Sequence, residues 1–149
     1  MIRDEIKTAL VTAMKAGEKA RVGTIRLIQS SLKNRDIELR GKEAGDDDAL
    51  VTDVLQKMIK QRRESIEMYT AGNRPELADA EAAEVAVIEA FLPKQMDDSE
   101  LAAAVDAIVV ETGAASVKDM GRVMVLVKER HAGGLDMSKA SAAVKARLS

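Results

Sequence analysis

Aromatic residues are almost absent from this chain, and their scarcity limits the kind of core it can build. One Tyr, one Phe and no Trp occur among 149 residues, so the core must come from Leu, Ile, Val, Met and Ala. These side chains suit packed helices better than a β-sandwich, which relies on β-branched and aromatic residues. The hydrophobic content of 46% is typical of a folded protein, and the length fits one average domain or two small ones.

Residues that carry much enzymatic chemistry are scarce as well. The absence of Cys excludes disulfides, thiolate metal ligands and cysteine nucleophiles, and His131 is the one imidazole. His131 is expected in the last turn of a helix, where the helix dipole favours a cation. Ser30, Ser31 and Ser138 have no base nearby in sequence, and no two carboxylates can be assigned to one pocket. We therefore predict no catalytic residue, no metal site and no cofactor.

Glycines and prolines divide the chain into segments in which apolar residues recur every three or four positions. This spacing is typical of amphipathic helices, and no segment shows the alternation of a strand. Four segments precede Pro93 and three shorter ones follow it. The predicted fold is all-α, with an N-terminal four-helix domain over residues 1–93. A small three-helix domain is expected over residues 94–149.

Several helix ends can be placed from the residue types that favour them. Glycines are expected to end helices, namely Gly17, Gly41, Gly72, Gly113 and the pair Gly133-Gly134. Three aspartates at 46–48 favour the start of the third helix, and Asp98 or Ser99 is expected to cap the fifth. Ser116 and Asp119 have the spacing of a capping box for a helix over 117–131. Gly121 inside that helix predicts the close approach of another backbone.

Charge is distributed unevenly along the chain. The net charge is −2, yet residues 117–149 hold seven Lys and Arg against three acids, a net of +4, and the preceding residues carry −6. A basic end on an acidic body is a candidate surface for polyanions. The candidate nucleic-acid-binding residues are Lys118, Arg122, Lys139, Lys145 and Arg147. The alternative is that these charges serve solubility and offset the helix dipoles.

A second basic stripe follows the second helix. Its members fall at seven-residue intervals and are Lys19, Arg26, Lys33 and Arg40. Such a stripe drifts by about 20° per heptad and so stays on one helix face, where it could follow phosphates. The alternative is a solvated face, supported by a pairing of Asp36 with Arg40 at i,i+4.

Arg62 lies on the apolar stripe of the third helix, between Leu55 and Ile66. A guanidinium in that position must reach solvent or pair with a carboxylate, because an unpaired buried charge is costly. The fourth helix is rich in acids and could supply the partner if the two helices pack antiparallel. The alternative is an arginine that binds a ligand.

The chain offers no membrane segment. No apolar run reaches the roughly 18 residues of a membrane span, and the first five residues, MIRDE, already contain two acids, unlike a secretory or transit peptide. A cytoplasmic protein without a membrane partner is therefore expected.

Four runs of the sequence, spread over nearly its whole length, resemble the YqeY family. They are residues 26–35 (RLIQSSLKNR), 54–66 (VLQKMIKQRRESI), 91–95 (FLPKQ) and 118–124 (KDMGRVM). This family is similar to the C-terminal helical and tail region of the GatB subunit of the glutamine-dependent tRNA amidotransferase, whose tail contacts tRNA. The resemblance implies an all-helical protein of two parts. Residues 133–137 (GGLDM) depart from the family by lacking a basic side chain.

These observations lead to one functional expectation and two alternatives. We expect a non-catalytic helical module whose basic C-terminal surface binds tRNA or a protein of tRNA aminoacylation or amidation. A protein-interaction module without a role in nucleic-acid binding is the main alternative. An enzyme of glutamine-dependent amide transfer is what the resemblance alone would suggest, although the amidotransferase chemistry resides in other parts of that complex.

Overall fold

Helices account for all the regular structure in the described part of the chain. The computed structural model describes residues 1–42, 45–131 and 134–149. The elements are α1 (Ile2–Ala16), α2 (Lys19–Glu38), α3 (Asp47–Ala71), α4 (Pro75–Glu89), α5 (Asp98–Thr112), a 3-10 turn (Val117–Asp119), α6 (Met120–His131) and α7 (Met137–Leu148). No strand occurs in these ranges, so the predicted all-α class is confirmed.

The helices group into two units, which we call unit 1 (Met1–Leu92) and unit 2 (Pro93–Ser149). Unit 1 contains α1 to α4, and unit 2 contains α5 to α7 with the 3-10 turn. Each unit has its own cluster of buried apolar side chains. That each unit folds as a separate domain is still a prediction.

Aliphatic side chains fill the core of unit 1. Ile6 of α1, Ile25 and Ile28 of α2, Leu55 of α3 and Ile88 of α4 are almost fully buried. Each such side chain contributes about 1.5–3 kcal/mol relative to an exposed one. The core therefore joins one apolar stripe from each of the four helices, as their spacing in the sequence predicts.

Two helix ends in unit 1 follow directly from local sequence. Gly17 ends α1 in the left-handed conformation, with φ 72°, and its N–H donates to the Met14 carbonyl at 3.2 Å. Glycine adopts this conformation without the steric cost that a Cβ would add. The Asp46 side chain caps α3 by accepting from the N–H of Asp48, and Pro75 occupies the first turn of α4.

Of two other predicted helix ends in unit 1, one differs in the structure and one agrees. α2 ends at Glu38, before Gly41, so Arg40 lies outside the helix. Gly72 follows α3 with φ −83°, and Asn73 takes the left-handed conformation instead, with φ 58°. Asn tolerates that region because its short polar side chain can bond locally. Gly72 therefore follows α3 directly, as predicted, whereas the predicted end of α2 at Gly41 was wrong.

Valine and isoleucine dominate the core of unit 2. Val105 and Ile108 of α5, Val123 and Val127 of α6 and Val144 of α7 are at most 2% exposed. They form one cluster that joins all three helices. Because this unit has no Phe, Tyr or Trp, its core consists of aliphatic side chains with methionines packed against them.

The N-terminus of α5 is capped one residue earlier than expected. Asp97 accepts from the N–H of Glu100 at 2.7 Å, and the Glu100 carboxylate accepts from the N–H of Asp97 at 3.2 Å. This reciprocal pair is a capping box. The prediction of Asp98 or Ser99 as cap was wrong, because the Glu three positions after Asp97 completes the box.

The helix predicted over 117–131 begins as a 3-10 turn and becomes α6 at Met120. A Cβ added to Gly121 would meet nothing within 4 Å, so the predicted close approach of another backbone was wrong. Gly133, expected to help end this helix, lies outside the described residues. Asp136 caps α7, its side chain accepting from the N–H of Ser138 at 2.8 Å.

Candidate functional site

The five predicted nucleic-acid-binding residues lie on three consecutive elements of unit 2, and all five are exposed. Lys118 is in the 3-10 turn and Arg122 in the first turn of α6. Lys139, Lys145 and Arg147 are on α7. The 3-10 turn contacts both α6 and α7, so Lys118 lies where these elements meet.

Asp119 builds the turn that carries Lys118. Its carboxylate accepts from the backbone N–H groups of Ala115, at 3.0 Å, and Ser116, at 3.4 Å. Chiefly because Ala115 donates to it, the pKa of Asp119 lies below its usual value. Arg122 Nη2 lies 3.3 Å from the same carboxylate, so part of its charge is offset within the turn.

Two arginines of unit 2 are paired with acids of α5. Arg147 Nε donates to Asp106 at 2.7 Å, and Arg130 Nη2 donates to Glu111 at 2.7 Å. The second bond lowers the pKa of Glu111 and raises that of Arg130. Both pairs are exposed to solvent, where an ion pair adds only about 0–1 kcal/mol and an arginine can exchange its partner for another anion.

Three lysines of the predicted surface have no such partner. Lys118, Lys139 and Lys145 make no ion pair with any acid in the part of the chain that the structure describes. Their ammonium groups are strongly hydrated point charges on flexible stems, a form suited to phosphate contacts. These three lysines and Arg122 are the candidate site; we call the four residues the lysine surface.

The surplus charge of residues 117–149 is balanced within unit 2. Residues 93–116 contribute one Lys against five acids, and unit 2 as a whole therefore holds eight cations and eight acids. The acids of α5 that pair with Arg130 and Arg147 belong to this set. The candidate site thus depends on where charges lie on the surface of unit 2 and not on an excess of positive charge.

The three cations of α7 do not share one helix face. At about 100° per residue, Lys139 and Lys145 are about 120° apart, and Lys145 and Arg147 about 160° apart. Ala140, Val144 and Leu148 form the buried stripe of α7. Lys145 and Arg147 flank this stripe on opposite sides, and Arg147 faces α5 through Asp106.

The second predicted stripe is on α2 of unit 1. Lys19 opens the helix, Arg26 and Lys33 follow on its exposed face, and Arg40 lies beyond its end. The predicted pairing of Asp36 with Arg40 was wrong: Arg3 of α1 reaches Asp36 with Nη1 at 3.0 Å and Nη2 at 3.2 Å.

Arg3 is a structural residue that sequence reasoning missed. It also binds Asp47 through Nη2 at 3.0 Å and Nε at 3.2 Å, and the hydrogen bonds to Asp47 and then Asp36 raise the pKa of its guanidinium. One side chain therefore ties α1 to the end of α2 and the start of α3. The aspartates at 46–48 were noted in the sequence, but only as residues that favour the start of a helix, so their pairing with Arg3 was not predicted.

Arg62 has the carboxylate partners that were expected from α4. Its Nε lies 2.8 Å from Glu84 and 4.0 Å from Glu81, and its Nη1 donates to the Met58 carbonyl at 3.2 Å. The side chain is only 15% exposed. The structural interpretation of Arg62 is thereby confirmed over the ligand-binding one.

The remaining candidates for chemistry in residues 1–42, 45–131 and 134–149 are His131 and the carboxylates. His131 is the last residue of α6, as expected. No group of three His, Asp or Glu side chains in these ranges is arranged to hold a metal ion. No described helix has the length and apolar character needed to cross a bilayer.

The chain was compared with known proteins. The profile of the family described as Yqey-like protein matches residues 3–148. Similar proteins are each named "Altered inheritance of mitochondria protein 41, mitochondrial". The one from Lachancea thermotolerans is 36% identical over 87 residues, or 58% of this chain and 46% of that protein. The one from Saccharomyces cerevisiae S288c is 33% identical over 96 residues, or 64% and 51%. This chain spans about half the length of these relatives.

Proposed function

The chain belongs to the family of Yqey-like proteins, and from this membership we propose that it is a non-catalytic helical module. Its ligand in this proposal is tRNA, or a protein complex that handles tRNA, and its contact surface is the lysine surface of unit 2. Lys118, Lys139 and Lys145 supply phosphate contacts together with Arg122, and Arg147 adds a contact when it exchanges Asp106 for phosphate.

One observation carries this proposal: three exposed lysines, none paired with an acid among the described residues, lie on elements that pack together in a neutral unit. A unit with balanced charge gains little from non-specific attraction at long range, so binding depends on the local arrangement of these cations. The resemblance of the family to the tRNA-contacting tail of GatB supports tRNA as the polyanion. Stacking of bases on Phe, Tyr or Trp plays no part, because unit 2 contains none of these residues.

The test is a titration of labelled tRNA with the full chain at several salt concentrations. Binding should weaken with salt, with a log–log slope of about −0.9 for each phosphate neutralised on duplex regions. K118E/K139E should weaken binding by about tenfold or more and reduce the slope. The matched control is K15E/K60E, which makes the same charge change at exposed positions of unit 1. Equal binding by the two variants would reject the lysine surface as the contact.

Arg122 needs a separate variant because it also pairs with Asp119 at the start of α6. R122Q removes the charge and keeps a hydrogen-bonding side chain. A thermal melt by circular dichroism shows whether the turn is intact, and tRNA binding by folded R122Q should fall by several-fold. Binding as strong as that of the unchanged chain would remove Arg122 from the contact.

The expected cytoplasmic location is still a prediction. The relatives carry mitochondrial names. The cytoplasm and the mitochondrial matrix both contain tRNA, so the proposed ligand is available in either compartment. Imaging of the tagged chain in its own cells, beside a mitochondrial marker, decides between them. Glutamine turnover by the purified chain would overturn the non-catalytic part of the proposal.

A further inference from the structure

The outer seam between α1 and α2 carries two shallow depressions, which together we call the seam groove. One, of about 390 Å³, lies between the end of α1 and the start of α2 and is lined by Met14, Val22 and Gly23 with Lys19 and Arg26. The other, of about 200 Å³, lies further along the same two helices; Lys7, Gln29 and Lys33 are among the residues that line it. The seam groove therefore combines apolar and cationic side chains.

The cations of the seam groove are available to a partner. Lys19, Arg26 and Lys33 are exposed, and none of them forms an ion pair with an acid in residues 1–42, 45–131 or 134–149. Lys7, on the α1 side, is likewise exposed and unpaired in those ranges. The acid beside the groove, Asp36, is already bound by Arg3. The charged residues that line the seam groove are therefore five cations and one acid.

The seam groove is also open to the backbone of another chain. Met14 is 53% exposed, and a Cβ built on Gly23 would meet nothing within 4 Å. Gly23 lies within α2, where glycine costs about 1 kcal/mol relative to Ala. Among the described residues of unit 1, none lies close enough to require a glycine at this position.

The spacing of the cations identifies the kind of partner. Lys19, Arg26 and Lys33 recur every seven residues, about 10 Å along the helix axis, and drift by about 20° per heptad. A helix wound around α2 in a left-handed sense follows that drift and meets each cation with one residue per heptad. A phosphate chain repeats at a much shorter interval and has no apolar face to cover Met14 and Val22.

We propose that the seam groove binds an amphipathic helix of a partner protein that presents a carboxylate every seven residues. Its apolar stripe covers Met14 and Val22, its backbone passes close to Gly23, and its carboxylates pair with Lys19, Arg26 and Lys33. This interaction is independent of tRNA binding by the lysine surface, because the two surfaces belong to different units.

The test uses the full chain and a synthetic three-heptad helical peptide with Leu and Ala on its apolar face and Glu at flanking heptad positions. Fluorescence anisotropy of the labelled peptide should show saturable binding that weakens with salt. K19E/R26E/K33E should bind at least about tenfold more weakly. The matched control is K15E/K42E/K60E, which makes the same charge change at exposed positions that do not line the seam groove and should bind as the unchanged chain does.

A second variant tests the geometry without changing charge. G23L places a branched side chain in the open space above α2 and favours the helix, so the thermal midpoint should not fall while peptide binding weakens several-fold. Absence of peptide binding, equal binding by the two triple variants, or unchanged binding by G23L would overturn the proposal. Displacement of the peptide by single-stranded RNA at lower concentration than by unlabelled peptide would assign the seam groove to nucleic acid instead.

Discussion

Arg62 shows how a charged side chain can lie within an apolar stripe at little cost. Its aliphatic stem lies among the residues of α3, and its guanidinium bonds Glu84 and the Met58 carbonyl. Glu81, at 4.0 Å, adds a second carboxylate. The pairing matters for the α3–α4 packing mainly through the cost of breaking it: if one partner is removed, the other is left partly buried without a counter-charge.

We predict that Glu84→Ala lowers the free energy of unfolding by about 1–3 kcal/mol, since Arg62 then keeps only the Met58 carbonyl and the more distant carboxylate of Glu81. Denaturation in urea, followed by circular dichroism, measures the change. The control is Asp53→Ala, which removes the exposed partner of Lys57 and should cost about 1 kcal/mol or less. A loss no greater than that of the control would show that Arg62 is solvated instead of held by Glu84.

The lowered pKa of Asp119 makes the stability of the 3-10 turn depend on pH. A carboxyl whose pKa is lower in the folded state stabilises the protein above its unfolded pKa, and that contribution is lost as the pH falls through the folded value. The usual value for this carboxyl is 3.8. The contribution of Asp119 should therefore be complete at neutral pH and fade below about pH 4.

We predict that Asp119→Asn destabilises the chain at neutral pH and that the difference from the unchanged chain shrinks in acid. An amide accepts from the N–H groups of Ala115 and Ser116 more weakly than a carboxylate, but a protonated carboxyl is no better than the amide. Thermal midpoints measured between about pH 7 and pH 3 test this. A difference that is constant over that range would contradict the proposed role of the charge.

At the scale of elements, local residues decide where a helix begins, and a single neighbour can shift the position by one. The cap of α5 is Asp97, because Glu100 lies three residues further and completes the reciprocal pair. Asp98 and Ser99 have the right residue types but no matching partner, so they become part of the first turn.

We predict that Asp97→Ala lowers the free energy of unfolding by about 0.5–2 kcal/mol, because the N–H of Glu100 loses its acceptor. Ser99→Ala is the matched control: it changes a neighbouring residue of a type that often caps helices, and it should change stability by less than about 0.5 kcal/mol. Urea denaturation of both variants provides the comparison. If Ser99→Ala costs as much as Asp97→Ala, the cap assignment is wrong.

At the scale of the whole molecule, each unit has its own core, and the aromatic residues lie in only one of them. Tyr69 and Phe91 belong to unit 1, and unit 2 has no aromatic side chain. Tyrosine fluorescence therefore reports on unit 1 alone, whereas circular dichroism near 222 nm reports on the helices of both units. The two signals can separate the unfolding of the two units.

We predict that the units unfold separately. Val123→Ala, at a fully buried position of unit 2, should lower the urea midpoint of part of the dichroism signal and leave the Tyr69 transition unchanged. Val51→Ala, at an equally buried position of unit 1, should lower the urea midpoint of the Tyr69 transition and leave the part of the dichroism signal that comes from unit 2 unchanged. If either variant shifts the Tyr69 transition and the whole dichroism transition by the same amount, the chain unfolds as one cooperative unit. The two predicted domains then do not fold separately.

The sequence by itself determined the all-α class, most helix ends and the apolar stripes from which the two cores are built. Those features depend on the repeat of apolar side chains and on capping groups within four positions, which are local in the chain. Family membership was also visible in the sequence, because four separate runs carried the resemblance.

Apart from Arg62, whose acidic partners on α4 the sequence predicted, only the tertiary structure decided which charges have partners. Arg3 with Asp36, Arg130 with Glu111 and Arg147 with Asp106 join residues 33, 19 and 41 positions apart. Each of these charged side chains could reach several partners of opposite charge, so the spacing of residues along the chain could not predict which pairs form. Which lysines have no acidic partner among the described residues, and which cations line the seam groove unpaired, depends on these long-range pairs, because each pair occupies an acid that another cation could have bound.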